Sequence, residues 1–129
     1  MGDLLAIALA GALGATCRWL VAGWTQRSWI GHVTWGQLPV GTLLVNVAGC
    51  LVLGLVVGLG STALPPRWRL AASTGFLGSF TTFSTFGVET MTLVQSGETG
   101  VAAVNVALQL VFGLGAALVG LAAGRALSG

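Results

Sequence analysis

Four long apolar stretches, separated by short polar ones, run along this chain. They cover residues 4–24, 38–60, 69–94 and 100–123. Each stretch reaches the length of about 20 residues that a helix needs to cross the hydrocarbon core of a bilayer. The pattern therefore predicts an all-α membrane protein with four transmembrane helices in a single domain, residues 1–129.

The composition supports a membrane protein and excludes several other classes. Of the 129 residues, 55% are hydrophobic and 6% are charged, whereas a soluble domain carries about 25% charged residues. The five basic residues are all arginine and are scattered along the chain, so they form no basic patch for nucleic acid. Their small excess on one predicted side of the membrane is a weak orientation signal and permits insertion both ways round.

Enzyme chemistry is not expected from this sequence. The sole histidine, His32, falls in a predicted loop, and the histidine, cysteine and acidic residues do not cluster as metal ligands do. The serines and threonines have no neighbouring base. Candidate functional residues are therefore the polar groups within the predicted spans, because each is costly there and is by default a functional hypothesis.

The third apolar stretch contains a segment, residues 75–89, that is a poor helix. Glycines, hydroxyl residues and phenylalanines crowd together in it, so we expect a break in the third helix. Irregular backbone at membrane depth is tolerated where protein buries it or where it lines a cavity, and broken half-helices aim their dipole ends at ions. The N-terminal end of a half-helix favours an anion and the C-terminal carbonyls favour a cation, so the break alone permits either charge.

Two kinds of side chain interleave in this segment. The rings are Phe76, Phe80, Phe83 and Phe86, and the hydroxyls between the later rings are Thr82, Ser84 and Thr85. The rings alone are explained by an apolar packing stripe. The hydroxyls between the rings favour a second interpretation, in which the positively polarised edges of the phenylalanine rings face an anion. Glu89 is the only acid deep enough to matter, so the chemistry favours an anion over a cation.

The other predicted spans contain few polar groups, and each has two interpretations. Arg18 either extends to the nearby interface or contacts a substrate. Asn46 lies in the middle of the second span with Thr42 one turn before it, and its amide needs either a neighbouring helix or a passing ligand. Asn105 and Gln109 are four residues apart on the fourth span, which indicates either a polar track or interhelical hydrogen bonds.

Three stretches together resemble the Fluc (CrcB-like) family of small fluoride channels. They are residues 11–19 (GALGATCRW), 41–49 (GTLLVNVAG) and 75–86 (GFLGSFTTFSTF). They are similar to the family's motifs in the first three spans, and they occur in the family's order in a chain of the right size. The resemblance covers nearly the whole chain.

The resemblance implies much more than the spacing does. Members of this family are antiparallel, dual-topology homodimers in the bacterial plasma membrane, with a broken third helix and two narrow pathways. They passively export cytoplasmic fluoride, select strongly against chloride and relieve fluoride toxicity. The partners expected for this chain are accordingly fluoride, a second copy of itself and the lipid bilayer.

The resemblance also implies roles for individual residues. Phe83 and Phe86 would be ring-edge ligands of the anion, and Asn46 would donate a hydrogen bond to it. The polar groups expected to share the pathway are Thr82, Ser84, Thr85, Asn105 and Gln109. The last two stand where the family tends to have hydroxyl residues, and Gly87 stands where it often has serine.

A structural cation and a vestibule follow from the same resemblance. The backbone carbonyls of Gly78 and Thr81, from both subunits, would bind a Na⁺ ion on the dimer axis at the break. Arg18 would lie near a vestibule, and Glu89 matches the acid that follows the family's third motif.

Two other functions remain open at this point. A proton-coupled exporter of small cations or drugs would also be a four-span dimer of this length, but it needs an acid in the first span, where this chain has Arg18 and no acid. An assembly subunit without transport of its own would not need the polar content of the third span.

Overall fold

The computed structural model describes residues 1–29, 37–60 and 63–129, and the side chains of these residues except those of 26–29. Most of the predicted first loop, including His32, lies outside the described residues. The described residues form helices joined by short non-helical segments and contain no strand.

Among the residues that the structure describes, three helices are long and apolar enough to cross a membrane. They are α1 (Gly2–Trp29), α2 (Val40–Gly58) and α6 (Thr99–Ser128). The part of α1 that is a candidate membrane span is Gly2–Thr25. Together with the broken third helix they make the all-helical membrane protein that the apolar pattern predicts.

The third helix consists of two halves joined by extended backbone. The first half runs without interruption through α3 (Pro66–Leu70), a π-helical segment (Ala71–Leu77) and α4 (Gly78–Phe80), and the second half is α5 (Phe83–Gln95). Thr81 and Thr82 between them are extended, with φ/ψ of -84°/158° and -152°/108°. The sequence predicts a break within residues 75–89, and the interruption lies there.

Three helix ends extend at least three residues beyond the predicted spans. Helix α1 continues past residue 24 because Thr25, only 1% exposed, satisfies its hydroxyl on the carbonyls of Val21 and Ala22 in its own helix. The third helix begins at Pro66, since proline fits the first helical turn. Helix α6 continues to Ser128, beyond the predicted end at residue 123.

Glycines bring the helix backbones into close contact. A Cβ on Gly120 of α6 would overlap the carbonyl oxygen of Leu51 on α2, and one on Gly14 of α1 would overlap the carbonyl oxygen of Phe76. Membrane helices associate through such small residues because lipid tails are as apolar as leucine. Helix α2 thus packs on α6, and α1 packs on the first half of the third helix.

Large apolar side chains cover the outside of this bundle. Leu13, Trp19, Leu114 and Leu118 are each more than 60% exposed. A soluble protein rarely exposes contiguous apolar surface of this kind. The outer surface is therefore suited to lipid.

Candidate functional site

The break in the third helix is held by Asn46 from α2. The backbone N–H of Thr82 donates to Asn46 Oδ1 at 2.8 Å, and Asn46 Nδ2 donates back to the Thr82 carbonyl at 3.2 Å. Backbone groups that leave a helix in an apolar surrounding must be satisfied by protein. The hydrogen-bond partner that the Asn46 amide needs within the membrane is therefore the backbone of Thr82 at the break.

Thr82 also caps the second half-helix. Its hydroxyl oxygen accepts from the backbone N–H of Thr85 at 3.2 Å, which is the usual N-cap hydrogen bond. The same hydroxyl lies 2.9 Å from Thr85 Oγ1 and 3.3 Å from Ser84 Oγ. The three predicted hydroxyls thus form one cluster at the start of α5.

The four phenylalanines separate into two pairs rather than forming one stripe. Phe76 and Phe80 stack with ring centroids 5.7 Å apart on the first half-helix. Phe83 and Phe86 lie beyond the break with centroids 5.6 Å apart and planes inclined at 59°. Phe83 is 83% exposed, so its ring edge is free to meet a ligand or another chain.

A groove of about 300 Å³ runs along the break. Its walls combine the later rings, the two amides and the end of the first half-helix. Residues lining it include Asn46, Gly78, Thr81, Thr82, Phe83, Phe86 and Gln109. Phe76 and Phe80 do not line it. The structure thus brings most of the candidates of the second and third spans to one place.

Gln109 joins this groove from α6. Its Oε1 accepts a hydrogen bond from Asn46 Nδ2 at 3.2 Å. Its Nε2 is buried and has no hydrogen-bond partner among the described residues. The two amides are therefore linked, and one donor at the end of the link is unused.

Asn105 is one turn from Gln109 but lies in a different environment. It is fully buried, does not line the groove, and donates from Nδ2 to Thr90 Oγ1 at 2.9 Å. Thr90 Oγ1 in turn donates to the carbonyl of Phe86 at 2.7 Å. Asn105 thus ties α6 to the half-helix that carries Phe86, and sequence analysis did not identify Thr90 because no motif includes it.

The end of the first half-helix leaves the carbonyl oxygen of Gly78 without its usual helical donor. In a continuous helix the N–H of Thr82 would donate to the carbonyl of Gly78, but it donates to Asn46 instead. Thr81 is extended, and its own N–H and hydroxyl both donate to the carbonyl of Leu77. The carbonyls of Gly78 and Thr81 are oxygen ligands at the negative end of a helix dipole, which suits a hard cation.

Arg18 and Glu89 lie apart from this groove. Arg18 is partly buried on α1 and forms no ion pair with any residue that the structure describes. Glu89 is partly buried on α5 near the hydroxyl of Thr42, and its Oε2 has no partner within the described part of the chain. Neither side chain lines the groove.

Comparisons with known proteins give the family. The model of the family described as "CrcB-like protein, Camphor Resistance (CrcB)" matches residues 5–121. A protein of Maridesulfovibrio salexigens named fluoride-specific ion channel FluC is 44% identical over 97% of both chains. Proteins of the same name from Syntrophotalea carbinolica (47% identical over 83% of this chain and 85% of the relative) and Citrifermentans bemidjiense (40% identical over 98% and 100%) are also similar. The chain therefore belongs to the CrcB-like family of multi-pass bacterial plasma-membrane proteins.

Proposed function

We propose that this protein is a fluoride-selective channel that passively exports fluoride from the cytoplasm and so relieves fluoride toxicity. The relatives reported above are fluoride channels by name. The observation that carries the proposal in this chain is the groove, which combines the rings of Phe83 and Phe86 with the amides of Asn46 and Gln109 at a helix break. The proton-coupled exporter draws no support from these relatives.

The groove has the chemistry that fluoride requires. Fluoride is small and strongly hydrated, so a conducting site must replace its water with several converging donors and still release it. Ring edges carry positive partial charge, and amide N–H and hydroxyl groups are neutral donors. In this proposal Phe83 and Phe86 contact the ion. The amides and the hydroxyl of Thr82 provide the polar part of the wall, and the hydroxyls of Ser84 and Thr85 are hydrogen-bonded to Thr82 beside it.

Asn105 has a supporting role in this proposal. It lies behind the groove, and its hydrogen bond to Thr90 fixes the helix on which Phe86 stands. Arg18 and Glu89 are proposed for the vestibules because they lie outside the groove but within or near the spans.

The functional unit is proposed to be an antiparallel, dual-topology homodimer with two pathways. The groove is open along one side, and the ring of Phe83 projects from it with 83% of its surface exposed. A second copy packed on this face would turn an open groove into an enclosed pathway. The nearly balanced distribution of arginines permits both orientations in the membrane.

A structural Na⁺ ion is proposed where the two broken helices would meet. The carbonyls of Gly78 and Thr81 fit such an ion because the break diverts the helical partner of Gly78 to Asn46, and both residues line the open face. Two carbonyls from one chain are too few for a stable site, so the same pair from a second copy is required. A bound cation would add positive potential beside the anion pathway.

Growth on fluoride provides a direct cellular test. The chain is expressed in a bacterium from which its own fluoride exporter has been deleted, and growth is scored over a series of fluoride concentrations. We expect the wild-type chain to restore growth, and Asn46→Asp, which replaces a donor by an acceptor, to abolish the rescue at equal expression. Failure of a well-expressed wild-type chain to raise the tolerated fluoride concentration would contradict the proposal.

A further inference from the structure

One end of the helix bundle carries most of the chain's arginines. The starts of α1 and of the third helix meet there, because Arg67 Nη2 donates to the carbonyl of Gly2 at 3.0 Å. Helices α2 and α6 finish at the same end, since α2 starts against the end of α1 and α6 packs parallel to α2. Three of the five arginines belong to this end, namely Arg67, Arg69 and Arg125, but only one of the three acids, Asp3.

The first turn of the third helix places an exposed tryptophan between two of these arginines. Successive residues of an α-helix lie about 100° apart around its axis, so Arg67 and Arg69 are on either side of Trp68. Trp68 is 62% exposed, and a tryptophan at the end of a membrane helix typically lies at the level of the lipid headgroups. Leu5, in the first turn of α1, is also exposed. We call the first turn of the third helix, with the start of α1 beside it, the α3 corner.

The positive charge of the α3 corner is only partly neutralised within the chain. Arg67 is held by the backbone carbonyl of Gly2, its Nε lies 4.0 Å from Asp3 Oδ1, and its side chain is still 51% exposed. Arg69 is partly buried and forms no ion pair or side-chain hydrogen bond with any residue that the structure describes. One exposed carboxylate therefore faces two guanidinium groups, and the corner keeps a net positive charge.

We propose that the α3 corner binds the headgroup of an anionic phospholipid, phosphatidylglycerol in the experiment below. The planar donors of a guanidinium group match the oxygens of a phosphate, and arginines next to a membrane span attract anionic lipids. In this arrangement Arg67 and Arg69 contact the phosphate, and Trp68 lies against the upper acyl chain of the same lipid. A soluble phosphate would leave the exposed apolar surface of Trp68 uncovered, so a lipid fits the corner better. The proposal does not depend on the anion pathway.

Quenching of Trp68 fluorescence by brominated lipid measures this binding at the corner itself. The other four tryptophans, Trp19, Trp24, Trp29 and Trp35, are replaced by phenylalanine, and the full chain is reconstituted in bilayers that mix phosphatidylglycerol with phosphatidylcholine. Bromine is placed on the acyl chains of one lipid at a time. The two quenching curves give the relative affinity of the two lipids beside Trp68. Because the bromine is on the acyl chain, soluble phosphate cannot produce the signal.

We expect phosphatidylglycerol to be favoured over phosphatidylcholine at Trp68 by about fivefold or more, the effect of one arginine near an anionic surface. Arg69→Gln should reduce this ratio severalfold. Arg125→Gln is the matched control, because it removes the same charge at the same end from α6, which packs on α2 and α5, and it should leave the ratio unchanged. A ratio near one before any arginine is replaced would overturn the proposal. Equal losses in the two variants would also overturn it, because they would report only the net charge of the protein.

Native mass spectrometry provides a second measurement that keeps all five tryptophans. The protein is equilibrated with equal amounts of phosphatidylglycerol and phosphatidylcholine in detergent, and the lipids that stay bound are counted by mass. We expect the wild-type chain and Arg125→Gln to retain mainly phosphatidylglycerol, and Arg69→Gln to retain severalfold less of it. Equal retention of phosphatidylglycerol by Arg69→Gln and Arg125→Gln, or no preference in the wild-type chain, would overturn the proposal even if the single-tryptophan protein failed to fold.

Discussion

Replacing Thr90 by valine tests how the second half-helix is held against α6. Thr90 Oγ1 accepts the 2.9 Å hydrogen bond from Asn105, which is 0% exposed. Asn105 Oδ1 already lacks a partner in the described part of the chain. Valine has nearly the shape of threonine, so Thr90→Val removes the last side-chain hydrogen bond of Asn105 without opening a cavity.

The magnitude follows from the buried donor that is left behind. A buried polar group without a partner costs about 1–3 kcal/mol, while side-chain hydrogen bonds between membrane helices average about 0.6 kcal/mol and reach about 1.7 kcal/mol. The carbonyl of Phe86 loses the Thr90 hydroxyl but keeps the N–H of its own helix. We therefore expect Thr90→Val to lower the free energy of unfolding by about 1–2 kcal/mol.

The assay is reversible unfolding in mixed micelles, in which dodecyl sulfate is titrated and tryptophan fluorescence is recorded. Thr92→Val is the matched control, because the Thr92 hydroxyl is exposed and bonds only to Val88 of its own helix at 2.9 Å. We expect this control to change the unfolding free energy by less than about 0.5 kcal/mol. A Thr90→Val protein as stable as the control would refute the reasoning.

A double mutant makes the test sharper. Replacing both partners by apolar groups of similar shape is close to neutral, so Asn105→Leu should restore part of the stability that Thr90→Val removes. The expected coupling is about 1 kcal/mol. Strictly additive losses would mean that the bond between Asn105 and Thr90 contributes nothing to the attachment of α5.

Three further outcomes are expected. Gly120→Ala should prevent folding or lower stability strongly, because its Cβ would overlap a backbone carbonyl of α2, whereas Gly115→Ala, with nothing within 4 Å, should be neutral in the same unfolding assay. Thr82→Ala should cost about 0.5–2 kcal/mol through the lost N-cap, and Thr82→Ser should retain most of it; equal stability of the two variants would contradict the cap. Phe83→Ile should slow fluoride efflux while Phe112→Ile, exposed on α6 outside the groove, leaves it unchanged, and equal rates in the two variants would remove Phe83 from the pathway.

The helices and the break were accessible from the sequence because both depend on local composition. Apolar length identifies α1, α2 and α6, and the crowding of glycine, hydroxyl and aromatic residues identifies the interruption at Thr81 and Thr82. The helix ends were harder to predict from the sequence. Thr25, for example, remains helical because its hydroxyl donates to the carbonyls of Val21 and Ala22 and because it is buried against Gly41.

The pairing of the polar residues was not accessible from the sequence. Asn105 and Gln109 are one turn apart and look equivalent, yet one bonds to Thr90 behind the groove and the other to Asn46 at its wall. This difference depends on the register between α5 and α6, which packing decides. The π-helical segment Ala71–Leu77 also shifts the register of the third helix. The sequence contains no pattern that predicts this segment.

Fluoride efflux from purified protein in liposomes tests the central claim most directly. Vesicles are loaded with potassium fluoride, a potassium ionophore relieves the voltage, and a fluoride electrode records the release; matched vesicles loaded with potassium chloride are followed in parallel. A passive fluoride channel predicts rapid fluoride release that needs no proton gradient, with chloride retained. No fluoride release from a folded protein, or equal release of chloride, would contradict the account.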